Sequence, residues 1–223
     1  MRHLIASMTS EYYKIKDSAR KGFLKYLEKV FSNVPGKENP KILDIGCGTG
    51  VPTIWLAENY GGTLTAIDTD NNALDWLKAK IIEKGLEDQI TVMHVSFFDF
   101  KAEPCSFDLV LAEGFLNVVG FERGFVRVIE MITKGGYFVI HDEYRDHEAK
   151  CEFMRQQGCA LIGSLLLDEK VWWNDYYGPL EREISSSEIH RRENVFKSDL
   201  KEIEIYKHDP SPFRSIYYIV DKQ

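Results

Sequence analysis

Four cysteines, Cys47, Cys105, Cys151 and Cys159, are scattered without a C-x-x-C pair and without histidines at metal-ligand spacing. That argues against a disulfide scaffold or a zinc centre and suits free thiols in a reducing compartment, so no metal is expected. No window approaches the length of apolar chain that a membrane span needs. The first residues carry charges and tyrosines where a secretory leader would need an unbroken apolar core. These absences place the chain in the cytoplasm. Internal repeats and low-complexity segments are missing as well. An excess of positive charge is also lacking: 28 basic residues face 35 acidic ones, for a net charge of −7. Nucleic acid is therefore not an expected partner, and a small molecule is favoured. At 223 residues the chain has room for one α/β domain with additions but hardly for two.

What is present is organised around one stretch, Lys41-Ile42-Leu43-Asp44-Ile45-Gly46-Cys47-Gly48-Thr49-Gly50. Its apolar half, with little alternation, reads as a central parallel strand covered on both faces. The glycines allow a tight turn and close approach to a bound molecule. Pro52 then suits the first turn of a helix through Ile54, Trp55, Leu56 and Ala57. Asp44, at the mouth of the strand, is placed to hold a ligand's amino group. The third glycine comes one position too early for the dinucleotide fingerprint, which leaves a hydride-transferring dehydrogenase a distant reading, and no Gly-Lys-Ser/Thr ending marks a phosphate loop.

The stretch Leu43 to Gly50 resembles the first motif of class I S-adenosylmethionine-dependent methyltransferases. The resemblance runs by motif over about residues 41–136 and by order of elements beyond, and it implies a seven-stranded α/β fold. That fold has a mostly parallel sheet, helices on both faces and an antiparallel last strand, a Rossmann-like architecture. It implies S-adenosylmethionine as cofactor and S-adenosylhomocysteine as product. The implied cofactor contacts are Asp44, Gly46, Cys47, Gly48 and Gly50 at the methionine end, and Asp68 and Thr69 at the ribose. Ser96 and Phe97 fall at the adenine, with Glu113 at the methionine part or the substrate.

The remaining chain fits that frame. Residues 1–36 form a helical segment, with Tyr12, Ile15, Ala19, Phe23, Tyr26, Leu27 and Val30 at helical spacing from Ser10 to Phe31. It is either a packing helix or a lid whose Tyr12 and Tyr13 reach the site, and residues 37–223 follow as the main domain. Thr63 to Ile67 makes the second strand and ends in Asp68, where a carboxylate accepts from two ribose hydroxyls. Asp70 or Asn71 caps the next helix and Gly85 ends it. After a third strand, Ile90 to Val95, the family's usual adenine-binding aspartate is replaced by Ser96, leaving the backbone near Phe97 or Asp99 to do the reading. The Phe97 ring either stacks on a base or packs in the core.

Phe107 to Glu113 is the fourth strand, and Glu113 at its end is either a ligand contact or a solvated acid. A helix with Phe121, Phe125, Val128, Ile129 and Ile132 on one side follows, then a Gly135-Gly136 turn and a fifth strand, Tyr137 to His141. The segment Gly120 to Gly124 resembles a small-molecule branch of the family. His141 is a candidate base, with a structural role as the plainer alternative, and Glu113 is the other weak catalytic candidate. Asp146 is expected to cap a helix ending at Gly158, and Cys159 to Leu167 makes a sixth strand.

The aromatic insertion at about residues 168–184 is either a wall of the acceptor pocket or a packed helix. Candidate substrate contacts are Tyr13, His141, Tyr144, Trp173 and Tyr177. A long helix is expected from Ser185, with Glu188 as capping partner, to about Tyr206, carrying Arg191 and Arg192 on a solvated face. Ser215 to Val220 closes the sheet. The favoured function is methyl transfer to a small molecule. The alternatives are an RNA or protein methyltransferase and a non-catalytic S-adenosylmethionine-binding or scaffold protein.

Overall fold

Apolar residues alternate along the strands so that each strand feeds two cores. Ile42, Leu109, Leu111, Val139 and Ile219 face one side, while Leu43, Ile45, Val110, Ala112, Phe138, Ile140 and Val220 face the other. A computed structural model describes residues 2–187 and 195–223, with side chains from Ser10 onward. Seven strands form one sheet in the order β3-β2-β1-β4-β5-β7-β6. They are β1 (Lys41–Ile45), β2 (Thr63–Asp68), β3 (Ile90–His94), β4 (Phe107–Glu113), β5 (Ile132–Glu143), β6 (Cys159–Leu167) and β7 (Ser215–Lys222). Pairings from β3 through β5 are parallel, and β7 runs antiparallel between β5 and β6. The chain order reverses beside β1, between β1 and β4, which is where open α/β sheets gather ligands at strand C-termini.

Helices α2 (Leu24–Phe31), α3 (Val51–Asn59) and α4 (Asn71–Lys84) cover one face. Helices α6 (Phe121–Met131), preceded by the one-turn α5 (Leu116–Val119), and α7 (His147–Gln156) cover the other. Each fully buried Leu, Ile or Phe there contributes roughly 1.5–3 kcal/mol. A third cluster sits over the strand ends, where Ile15 and Ala19 of α1 (Arg2–Arg20) meet Tyr177, Leu180 and Ile184. The last two belong to α9 (Gly178–Ser186), which follows α8 (Glu169–Trp172) through a π-turn, Trp173–Tyr177. Ile203 and Tyr206 of α10 (Lys197–His208) complete the cluster.

The expected N-terminal helix starts earlier than Ser10 and is interrupted by a 3-10 turn at Lys21–Phe23. A Cβ on Gly22 would lie 2.0 Å from the backbone oxygen of Asp175, so the interruption is where the aromatic insertion's main chain presses against the N-terminal segment. The Gly135-Gly136 pair does not precede the fifth strand. It lies inside β5, at a register shift against β4 between Phe107 and Leu109, so the strand bulges instead of ending. Ile132, expected on the preceding helix, opens that strand.

Asp70 caps α4, accepting from the amides of Asn72 and Ala73, and Gly85 ends it. Asp146 occupies the equivalent place before α7 but has φ 59° and no side-chain capping bond. The long helix from Ser185 is a correction too: α9 stops at Ser186, and Ser187 is extended. The Ser186 hydroxyl turns back onto the Glu183 carbonyl at 2.9 Å, the local competition for backbone groups by which serines end helices. Glu188, Arg191 and Arg192 lie outside the described residues.

Candidate active site

Strand β1 delivers Asp44 to the sheet's C-terminal edge, 3% exposed, where the Thr53 hydroxyl of α3 donates to it at 2.6 Å. Burial pushes its carboxyl up to about 7, against the Thr53 hydrogen bond, with Glu113 and Asp68 adding to the rise. The turn that follows is bound to β2: the Gly48 amide donates to Asp68 Oδ2 at 2.8 Å, and the Asp70 amide to Oδ1 at 2.8 Å. Gly48 itself has φ 52° and nothing within 4 Å of where a Cβ would stand, so the turn presents bare backbone to the space in front of it. Burial raises the neighbouring Cys47 thiol well above its ordinary range, so it behaves as a small apolar group.

That space is a cavity of about 600 Å³, inside the roughly 300–1,000 Å³ span of small-ligand sites. Asp44, Gly46, Cys47, Gly48 and Glu113 line it from the sheet edge. Tyr13, His141 and Tyr177 line it among the residues expected to meet substrate. The other expected residues stand back from the wall. Gly50 precedes α3, Asp68 sits directly behind the turn, and the Thr69 carbonyl meets His94 Nε2 at 3.0 Å. The Ser96 hydroxyl accepts from the Phe98 amide, and Phe97 is 5% exposed against Phe98 and Phe115. Tyr144 stacks on His147 under the Arg214 guanidinium. Trp173 stacks on Tyr206 at 13°, and its neighbour Trp172 lines the cavity instead.

Two wall residues that the sequence reading passed over, Lys16 and Arg20, come from α1, on the face that also carries Tyr12. Tyr12, Lys16 and Arg20 recur at every fourth position and line one side of the cavity. Lys16 pairs with the buried Asp199, which also accepts from Tyr12. Arg20 pairs with Glu113 at 2.5 Å, and the Tyr217 hydroxyl donates to the same carboxylate. Burial works to raise the Glu113 carboxyl, yet Arg20, His141 and Tyr217 together hold it below its ordinary value. The i, i+4 spacing of Lys16 and Arg20 was the available signal, and on an amphipathic helix such a stripe also reads as solvated charge.

His141 is 3% exposed, stacked 4.1 Å over the Tyr217 ring and 5.9 Å from Trp172. Its Nε2 lies 2.9 Å from Ser215 Oγ, which also accepts from Trp172 Nε1 at 3.0 Å. An indole N–H can only donate, so the serine oxygen accepts from Trp172, and the direction of its contact with His141 Nε2 follows the tautomer of the ring. Burial lowers its pKa to about 4, with Glu113 opposing and Arg20 reinforcing the fall, so the ring is neutral at physiological pH.

Residues 42–136 match the family model described as a methyltransferase domain. The methyltransferase GfsG of Streptomyces halstedii is 26% identical over 121 residues, covering 52% of this chain and 42% of that protein. The ribosomal protein L11 methyltransferase of Desulforamulus reducens is 27% identical over 142 residues, covering 63% and 43%. The chain spans less than two-thirds of the length of the curated relatives it matches. A Geobacter sulfurreducens S-adenosylmethionine-dependent methyltransferase, solved with S-adenosyl-L-homocysteine, superposes with a TM-score of 0.69 at 14% identity, covering 90% of each chain. An open glycine turn beside the acid at the end of β1, backed by the acid at the end of β2, is a wall that fits a cofactor with a charged amino-acid end. Residues 42–136 of this chain thus carry a methyltransferase domain, and its sheet has the fold of the S-adenosylmethionine-dependent methyltransferases.

Proposed function

We propose that this chain transfers a methyl group from S-adenosylmethionine to a small-molecule acceptor. The observation that carries the reading is the lining of the cavity: α1 on one side and the α8–α9 insertion on the other set aromatic walls around a half-open space of about 600 Å³ in front of the glycine turn, a size that suits a small molecule. When bound, the cofactor supplies a methyl group on a sulfonium that is already a good leaving group. Asp44 and the turn Gly46-Cys47-Gly48 would hold its methionine end, with Asp44 meeting the amino group. Asp68, its oxygens already oriented by two amides, has lone pairs left for ribose hydroxyls. Because the Phe97 ring is buried, the backbone around Ser96 is what remains to meet the adenine.

On the acceptor side Trp172, Tyr176 and Tyr177 offer flat apolar walls with polar edges, and Arg20, Glu113 and His141 form the floor. His141, with its pKa near 4, is a poor proton acceptor at neutral pH, and Glu113 is held ionised by Arg20. The chain's own contribution is therefore alignment and exclusion of water, which suits a nucleophile arriving with its lone pair free. The net charge of −7 and the four free thiols support a small-molecule partner and a cytoplasmic setting.

Incubation with methyl-labelled S-adenosylmethionine and three acceptor pools, a metabolite extract, tRNA and ribosomal protein, tests this reading. Label is expected in the metabolite fraction. Label on tRNA or protein overturns it in favour of a macromolecular acceptor, and binding of S-adenosylhomocysteine with no label anywhere points to a non-catalytic binding protein.

A further inference from the structure

The N-terminal helix reaches the glycine turn through a residue outside the cavity wall. Asp17 of α1 is 6% exposed and accepts from three donors. Thr49 Oγ1 donates to its Oδ1 at 2.5 Å, while Trp76 Nε1 at 2.9 Å and Lys80 Nζ at 2.5 Å, one turn apart on α4, donate to its Oδ2. Tyr13, one turn before Asp17, stacks on the Trp76 ring at 27°. Thr49 is part of the turn and lines the cavity. Its neighbour Gly48 is held from the opposite side by Asp68. Two consecutive residues of the turn are therefore pinned from different directions, one by the sheet and one by the N-terminal helix.

We propose that Asp17 is a positioning residue for the cofactor turn, and that docking of α1 and binding of the cofactor are reciprocally coupled through its contact with Thr49. A buried carboxylate needs all its donors, so α1 docks fully only when Thr49 is in the place the turn adopts around the cofactor. Whatever the docked helix contributes to cofactor affinity, the cofactor returns to helix docking by the same factor. Couplings of this kind run to roughly 5–150-fold in affinity.

The test is a cycle of Asp17→Asn, Thr49→Val and the double variant, read by calorimetric titration with S-adenosylhomocysteine, together with hydrogen exchange of residues 10–20 with and without that ligand. It needs no acceptor and does not depend on the acceptor class. Each single variant is expected to weaken binding by about tenfold, within that coupling range, and the double variant to be no worse than the weaker single one. The ligand should slow exchange in α1 of the parent and not of Asp17→Asn. Ser18→Ala, which cuts the helix's tie to Glu183, serves as the control and keeps the parent's affinity. Unchanged affinity in a folded Asp17→Asn, additive losses in the double variant, or ligand protection of α1 that survives the substitution would each overturn the proposal.

Discussion

Asp44 sets how the site answers to pH. Its carboxyl titrates at about 7 in the folded chain against 3.8 ordinarily, so the fold holds that proton more tightly than the unfolded chain does. The resulting stability is full below the ordinary value and is lost as pH rises through about 7. Cofactor-free protein should melt at falling temperature across that window, and Asp44→Asn should flatten the slope. The proposed contact between Asp44 and the cofactor's amino group needs the opposite state, the carboxylate. Affinity for S-adenosylhomocysteine should therefore rise from pH 5.5 to 8, by up to about tenfold per unit below the pKa, and the dependence should vanish in Asp44→Asn when titrated calorimetrically. Arg20→Leu strands Glu113 in the wall with only Tyr217 as donor. It should cost about 3 kcal/mol in urea unfolding, and Glu113→Gln in the same chain should recover part of that. Asp44 and Glu113 were legible because strand pattern and a glycine turn fix where a strand ends. Their partners were not: Arg20 lies 93 positions from Glu113, and Lys16 lies 183 from Asp199, separations over which no local period carries information.

At the level of elements, one π-turn decides which aromatic ring meets the ligand. Trp172 and Trp173 are adjacent, yet the turn sends the first into the cavity beside His141 and the second onto Tyr206. Trp172→Ala should lower turnover several-fold with cofactor affinity kept, whereas Trp173→Ala should cost about 2 kcal/mol of stability with turnover kept. Steady-state kinetics beside denaturant melts would separate the two. Gly22→Ala would force a Cβ to within 2.0 Å of the Asp175 carbonyl, so the N-terminal segment and the insertion must separate. A loss of about 1–3 kcal/mol in denaturant midpoint is expected. All seven strands and the α4 caps could be read from composition and period. The bulge in β5 could not, since a glycine pair reads as a turn unless the partner strand is known to continue past it. Nor could the stop of α9 at its serines, because tertiary contacts choose between a helix and its competitor.

For the molecule as a whole, the candidate site joins pieces from distant parts of the chain: the turn after β1, the helix before it, and the start of β7. Ligand binding to such a site stabilises the fold globally. S-adenosylhomocysteine at a hundred times its dissociation constant should add about 2.7 kcal/mol to the unfolding free energy, read as a shift in melting temperature.

The placement of β7 also bears on how the chain is made. Among the described residues β6 has β7 as its only neighbour in the sheet, and β7 follows it after a long connection from Leu167 to Ser215. At about 5–20 residues per second of synthesis, β6 waits several seconds with both edges bare and with Leu161, Ile162 and Leu166 uncovered. Those three remain 40–45% exposed even in the finished fold. The nascent chain thus passes through an interval in which a strand with an apolar outer face has nothing native to hold, and yield in cells should depend on what shields that strand until its partner emerges.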